Sequence, residues 1–124
     1  MTIRDAITRL DALIYNTYSQ DDKVRWLSVL DAAVKEQIID THEGGELVPF
    51  LGYTPHTPDT TVLLVPEPYA DVYLRWMEAQ IHYHNGENDK YNSAIILYNT
   101  AFDAYAGFYN RTHMPYRKPN RFIF

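Results

Sequence analysis

The fold is decided by residues 87–111, which read ENDKYNSAIILYNTAFDAYAGFYNR. Within this stretch Tyr91, Tyr98 and Tyr105 recur every seven residues, and each is followed three and four positions later by small, aliphatic or aromatic residues. A seven-residue repeat over three cycles is typical of a long α-helix that packs along its whole length. Asn85-Gly86, just before the stretch, is a common helix end. The repeat therefore predicts a helix over residues 87–111, packed beside the helix before it.

Apolar spacing outside this stretch predicts three further helices, over residues 3–17, 21–40 and 68–85. Apolar residues recur there at three- and four-residue intervals. Thr2 is a candidate N-cap for the first helix, and Ser19 or Asp21 for the second. The third follows Pro66-Glu67-Pro68, because proline is well tolerated in a first helical turn. The short connection between the first two helices predicts an antiparallel hairpin.

Residues 41–65 interrupt the helical pattern with three glycines and three prolines. We expect a long irregular insertion, in which the β-branched stretch Thr61–Val65 could pair with Leu47–Leu51 as a β-hairpin. Pro49 weakens that pairing because it lacks an amide donor. Past residue 111, Pro115 and Pro119 favour an extended C-terminal tail. The predicted fold class is therefore mainly α: one four-helix domain over residues 1–124, with an irregular insertion and an extended tail.

Length and composition narrow the class of protein. The chain has 124 residues, of which 46% are hydrophobic, as in an ordinary globular domain. It has no cysteine, which excludes disulfides, thiolate metal sites and cysteine nucleophiles. Arg4 and Asp5 lie where a secretion signal would be apolar, and no apolar run approaches the roughly 20 residues of a membrane span. We expect a protein made in the cytoplasm, without a membrane partner.

Charge is divided unequally along the chain. The formal net charge is −5, which argues against general binding to nucleic acid. All 16 acidic residues lie at or before Asp103, and the basic residues Arg111, Arg117, Lys118 and Arg121 follow it. An acidic body with a basic arm favours contact between like copies, in which the arm of one lies on the body of the next. A solvated, frayed C-terminus is the alternative.

Tyrosine is the least ordinary component, with 11 in the chain. Tyrosine rings pack in cores and are also enriched at protein interfaces, so each one has two interpretations. We expect the last two helices to carry more aromatic surface than a small bundle can bury, which favours an oligomer. The candidate protein contacts are Tyr91, Tyr98, Tyr105, Tyr109, Arg111, Arg117, Lys118 and Arg121.

No catalytic, metal-binding or cofactor-binding residue is predicted. His82 and His84 are two positions apart, so on a helix they point to different sides and do not form a chelating pair. Glu78, Glu87 and Asp89 have spacings that suit helix capping and surface pairing. Arg111 and His113 are too close in sequence to share a helix face. We therefore expect a binding protein without a cofactor, and an enzyme or metal-dependent nuclease remains an alternative.

Four stretches, in order along the chain, resemble the small head–tail connector (adaptor) proteins of tailed bacteriophages and prophages. They are DKVRWLSVLD at 22–31, LLVPEPYADVY at 63–73, AQIHYHNGE at 79–87 and FYNRTHMP at 108–115. The resemblance implies a helical subunit of a ring, usually of twelve copies, in the virion neck. Such a ring docks below the portal protein of a filled capsid, contacts the next neck or tail protein, and continues the DNA channel with only passive DNA contact. It implies no catalytic residues.

The resemblance also suggests roles for the two irregular segments. The insertion resembles the segment that faces the channel or the next ring, for which the candidate residues are His42, Glu43, Glu46, Tyr53, His56 and Asp59. The tail resembles an arm that reaches neighbouring subunits or the portal. A different class of protein remains open, namely a small cytosolic regulatory binding protein, encoded by a prophage, that acts on a host protein.

Overall fold

The computed structural model describes residues 1–115 of the chain. Its four α-helices are α1 (Ile3–Leu13), α2 (Gln20–Gln37), α3 (Asp71–His84) and α4 (Asn88–Thr112). Two short 3₁₀ helices, Ile39–Thr41 and Gly45–Leu47, lie between α2 and α3. The described residues contain no β-sheet, only isolated bridges that pair Thr2 with Val62 and His42 with Pro115. The predicted mainly α, four-helix domain is confirmed.

The first helix ends earlier than predicted, at Leu13 instead of residue 17. The reason is a local asparagine turn, because the Asn16 side chain donates to the carbonyl of Ile14 and accepts from the amide of Tyr18. Ser19 then caps α2 by accepting a 3.1 Å hydrogen bond from the amide of Asp22. Thr2 caps α1 in a reciprocal arrangement with Asp5, so two of the proposed N-caps are confirmed.

The second and third helices are also shorter than predicted. α2 gives way at Ile38 to the 3₁₀ turn, so its α-helical part ends three residues before residue 40. α3 begins at Asp71 instead of residue 68. The preceding segment, which includes a cis Glu67–Pro68 peptide bond, forms separate turns in which the amide of Tyr69 bonds to the carbonyl of Pro66. The fourth helix, by contrast, agrees with its predicted bounds to within one residue.

The suggested β-hairpin within the insertion is wrong. Leu47 lies at the end of a 3₁₀ helix, and Thr61–Val65 does not pair with Leu47–Leu51. Its partner is the start of the chain: the amide of Ile3 bonds to the carbonyl of Thr61, and the amide of Leu63 bonds to the carbonyl of Met1. The extended segment therefore ties the insertion to α1. The amides of Thr61, Leu63, Leu64 and Val65 find hydrogen-bond acceptors without a second strand.

The core lies around α3, which packs against each of the other three helices. α3 contacts α4 most extensively, as the predicted neighbouring arrangement requires. Inward residues of α1, α2 and α3 fill the interior, and the largest fully buried side chains are Tyr73, Ile3, Leu10, Leu27, Leu30, Met77 and Ile81. Burying aliphatic and aromatic side chains of this size stabilises a domain by roughly 1.5–3 kcal/mol each. α4 is therefore held along one side of the domain by the helix before it.

Candidate interaction surface

The tyrosines of α4 divide between the core and the surface. Tyr105 and Tyr109 are only 4% and 7% exposed, and both belong to the main apolar cluster. Tyr98 is half-buried, with its ring 4.9 Å from that of Trp76, and Tyr91 is half-buried beside Tyr83. Tyr105 and Tyr109 therefore contribute to the interior of the fold instead of forming the contact surface expected of them. Their helix positions face inward, where the Tyr105 ring packs at a tilt against Tyr69 and edge-on against Tyr109.

Burial raises the pKa of two of these tyrosine hydroxyls. Burial raises the pKa of Tyr105 to about 12, with smaller contributions from Tyr109 and Asp31. Burial, and then the nearby negative charge of Asp103, raises the pKa of Tyr98 to about 12 as well. A phenol in an apolar environment resists losing its proton because the phenolate is poorly solvated there. Both hydroxyls therefore remain neutral at physiological pH.

The outward face of α4 is nearly free of charge. From Tyr91 to Asn110 the helix carries one charged residue, Asp103. Ile96 is 63% exposed on this face, and Leu97 beside it is also exposed. Exposed helices usually present charged side chains to water, and depletion of charge around apolar residues is characteristic of interface cores. This face, defined by Ile96 and Leu97, is here called the α4 face. On one side Leu97 borders a depression that Glu78, Asp89 and Lys90 also line.

His42 is an anchor of the insertion and does not face outward as expected. Its ring is buried, with Nδ1 2.6 Å from the carbonyl oxygen of Ile38 and Nε2 2.7 Å from Oδ1 of Asn110. The ring also meets that of Tyr109 edge-on at 4.8 Å. The resemblance suggested that His42 faces the channel or the next ring. Its contacts with Tyr109 and Asn110 of α4, which are distant in sequence, bury it instead.

Tyr53 and Asp59 anchor the insertion as well. The Tyr53 hydroxyl donates to Oδ2 of buried Asp31, and its amide donates to Oγ of Ser28 at 3.0 Å. Asp59 forms a two-point ion pair with Arg4, at 2.8 and 3.0 Å. These two side chains are therefore engaged within the subunit. The remaining candidates of the insertion, Glu43, Glu46 and His56, are exposed.

A surface that the sequence did not predict lies between these anchors. Leu47 is 78% exposed and Leu51 is fully exposed. Both were assigned to a strand, so their projection into solvent was missed. The insertion is fixed on either side of them, because Lys35 Nζ donates to the carbonyl of Gly45 at 2.8 Å and Tyr53 is bonded to α2. The two leucines are therefore exposed to solvent on a segment whose two ends are fixed to the fold.

The start of the tail lies beside the insertion. The amide of Glu43 donates a 2.8 Å hydrogen bond to the carbonyl of Met114, next to the bridge between His42 and Pro115. Arg111 is exposed in the last turn of α4. The other basic candidates, Arg117, Lys118 and Arg121, lie outside the described residues.

The described residues form surface depressions but no cluster of metal-binding side chains. Three of the depressions have volumes of 180–360 Å³, and within residues 1–115 no three histidine or carboxylate side chains converge as metal ligands. His82 is bonded to Glu87 at 3.0 Å, and His84 stacks on Trp26. In the same part of the chain, no helix is both long and apolar enough to cross a membrane.

Comparison with protein-family models, curated proteins and solved structures finds no match to this chain. Two of the sequence stretches quoted above, 22–31 and 63–73, contact each other in the fold. Asp31, in the first stretch, accepts from the amide of Leu64 and the hydroxyl of Tyr73, both in the second. Trp76, just after the second stretch, donates from Nε1 to the carbonyl of Trp26 at 2.9 Å. These two stretches thus help to hold the interior of the fold together.

Proposed function

We propose that this chain is a structural virion protein of the phage head–tail interface. In this proposal copies assemble as a ring below the portal protein and continue the DNA channel toward the tail. The observation that carries it is a small helical fold with two separate exposed apolar regions, the α4 face and the exposed leucines of the insertion. In an assembly, neighbouring copies would cover these regions.

Because the two exposed apolar regions are unlike each other, they favour a repeating assembly over a twofold dimer. A contact between unlike patches repeats from copy to copy, and it closes into a ring when the rotation permits. A contact between identical patches would instead give a twofold dimer. The α4 face and the leucines lie on different elements and differ in shape, since one is a helix side and the other a projecting loop. This arrangement supports a repeating assembly.

The charge of the body supports a channel role. Residues 1–103 contain every acidic residue of the chain and account for its negative balance. A negatively charged channel wall would repel phosphate groups and let DNA pass without gripping it. In the ring, the exposed side chain of His56 would be available to a neighbouring ring or the channel. The portal protein and the next neck protein would be the other partners.

The proposal is tested by deleting the gene from a phage or prophage that encodes it. We expect DNA-filled heads and separate tails that fail to join, and recovery of infectious particles when the unchanged gene is supplied. Immunogold labelling in electron microscopy should place the protein at the neck. Infectious particles of normal yield without the gene would contradict the proposal. Capture of a host protein by a chain absent from particles would support the regulatory alternative.

A matched pair of variants sharpens this test. Ile96→Asp with Leu97→Asp places two charges on the α4 face and should fold but fail to restore infectious particles. Thr8→Asp, at an exposed position on α1, serves as the control and should restore them. Because both substitutions lie on helix surfaces, each should change the free energy of unfolding by no more than about 0.5 kcal/mol per site. Normal recovery with the α4 variant would remove that face from the assembly.

A further inference from the structure

The insertion presents an acidic and apolar surface with no cation of its own. Residues 41–65 contain no lysine or arginine. Glu43 and Glu46 are exposed, and the exposed Leu47 and Leu51 follow them. Neither glutamate forms an ion pair within residues 1–115. These four side chains are here called the insertion surface.

The end of the chain has the opposite character. Residues 116–124 read YRKPNRFIF and contain three basic residues, no acidic residue, and an apolar end. They combine positive charge with apolar side chains, as the insertion surface combines negative charge with leucines. Complementary charge of this kind selects partners and fixes orientation, while the apolar groups contribute most of the burial. The insertion surface and residues 116–124 therefore have opposite charge, and both carry apolar side chains.

We propose that the insertion surface of one copy binds residues 116–124 of a second copy. This inference rests on the proposed function and names one contact between neighbours in the ring. Two insertion surfaces brought together would place like charges against each other, and so would two basic segments. Pairing unlike segments avoids this repulsion, which favours the repeating contact over a twofold one.

The length of the segment permits contact with a neighbour. Pro115 is fixed beside His42, so nine residues remain to span the distance. Nine residues reach up to about 30 Å when extended, which is well beyond the roughly 10–12 Å diameter of a helix. Residues 116–124 therefore begin at the same described point on every copy, as a regular ring requires.

Charge reversal tests the pairing in the full-length chain. One variant carries Glu43→Lys and Glu46→Lys, and the other carries Arg117→Glu, Lys118→Glu and Arg121→Glu. Sedimentation velocity from about 10 to 300 μM in low salt should show that each variant alone self-associates at least tenfold more weakly than the unchanged chain. An equal mixture should recover association to within about threefold, because each variant then supplies what the other lacks.

The mixture separates contact between copies from contact within one chain. If the segment folded onto its own insertion, mixing would restore nothing, and that result would overturn the inference. An unchanged chain that stays monomeric up to the highest concentration would overturn it too. Both variants change exposed or terminal positions, and thermal unfolding should confirm that each is folded.

The apolar part of the contact has its own matched control. Leu47→Ser with Leu51→Ser should weaken association at least tenfold, whereas Val62→Ser, at another exposed apolar position of the same insertion, should not. Virion assembly distinguishes the two proposals. If these variants assemble normal particles, the contact is wrong but the proposed function stands. If the chain is absent from particles yet pairs as described, the function is wrong and the contact stands.

Discussion

The hydroxyl of Tyr73 donates a 2.6 Å hydrogen bond to Oδ1 of Asp31, joining α3 to α2 in the interior. The same hydroxyl accepts a 2.7 Å bond from the amide of Val65, and Oδ2 of Asp31 accepts from Tyr53 and from the amide of Leu64. Burial raises the pKa of Asp31, and the hydrogen bonds from Tyr53, Tyr73 and Leu64 act in the opposite direction. One carboxyl group thus joins two helices and the insertion.

Tyr73→Phe tests how much this hydrogen-bond network contributes to the free energy of unfolding. The substitution keeps the ring but removes the hydroxyl, which leaves Asp31 short of a donor and the Val65 amide without a partner. We expect a loss of about 2–3 kcal/mol in the free energy of unfolding, because both groups are buried. Urea denaturation measures it. Tyr15→Phe, on a ring almost wholly exposed, is the control and should stay within about 0.5 kcal/mol. Equal effects at both positions would show that the network contributes little.

Glu87 should govern part of the response to acid. Hydrogen bonds from His82, Asn85 and Lys90 lower the pKa of Glu87 from 4.5 to about 2. Because the folded-state pKa lies below the unfolded value, Glu87 stabilises the fold above pH 4.5, and that contribution is lost as the pH falls toward 2. A carboxyl titration followed by NMR should find this low pKa.

The matched variants for this titration are Glu87→Gln and Glu36→Gln. Glu87→Gln should flatten the loss of stability between pH 4.5 and 2, measured by thermal unfolding at several pH values. Glu36 is exposed on α2 and has no ion pair among the described residues, so its variant should keep the slope of the unchanged chain. If the slopes of the two variants agree, the interaction of Glu87 with its neighbours is negligible.

Two glycines should respond in opposite directions to alanine. A Cβ on Gly45 would lie 2.6 Å from the carbonyl oxygen of Ile39, so Gly45→Ala should cost about 2 kcal/mol and loosen the insertion. A Cβ on Gly107, inside α4, would meet only the flexible end of Arg111 at 3.4 Å. Gly107→Ala should therefore stabilise the fold by about 0.5–1 kcal/mol. Thermal unfolding of both variants checks the signs, and destabilisation by Gly107→Ala would contradict the described packing of α4.

The division of α4 into a core side and an outer side is also testable. Tyr109→Ala should lower the free energy of unfolding by about 3 kcal/mol or more, since it removes a buried ring and leaves a cavity beside His42. Ile96→Ser removes a similarly apolar but exposed side chain, so it should cost less than about 0.5 kcal/mol. Chemical denaturation compares the two. A larger loss for Ile96→Ser would mean that the helix faces are assigned the wrong way round.

Local features of the chain were enough to place the helices. Apolar residues three and four positions apart, the cap at Ser19 and the break at Asn85-Gly86 act within a single turn, so they can be recognised without knowing the rest of the fold. For the same reason the sequence indicated that residues 41–65 would be irregular. The predicted helix ends were less accurate where a side chain such as that of Asn16 bonds to the nearby backbone and forms a turn.

Burial of individual side chains was decided by the tertiary structure alone. The seven-residue repeat places Tyr98 and Tyr105 on the same face of a helix, but it does not determine how deeply α3 buries each ring. Tyr53 is 22 residues from its partner Asp31, and His42 is 68 residues from its partner Asn110, so only folding brings each pair together. Leu51 projects because its neighbours are held from both sides. The sequence by itself therefore determined where helices form, since those forces are local, and long-range packing decided which side chains remain available to a partner.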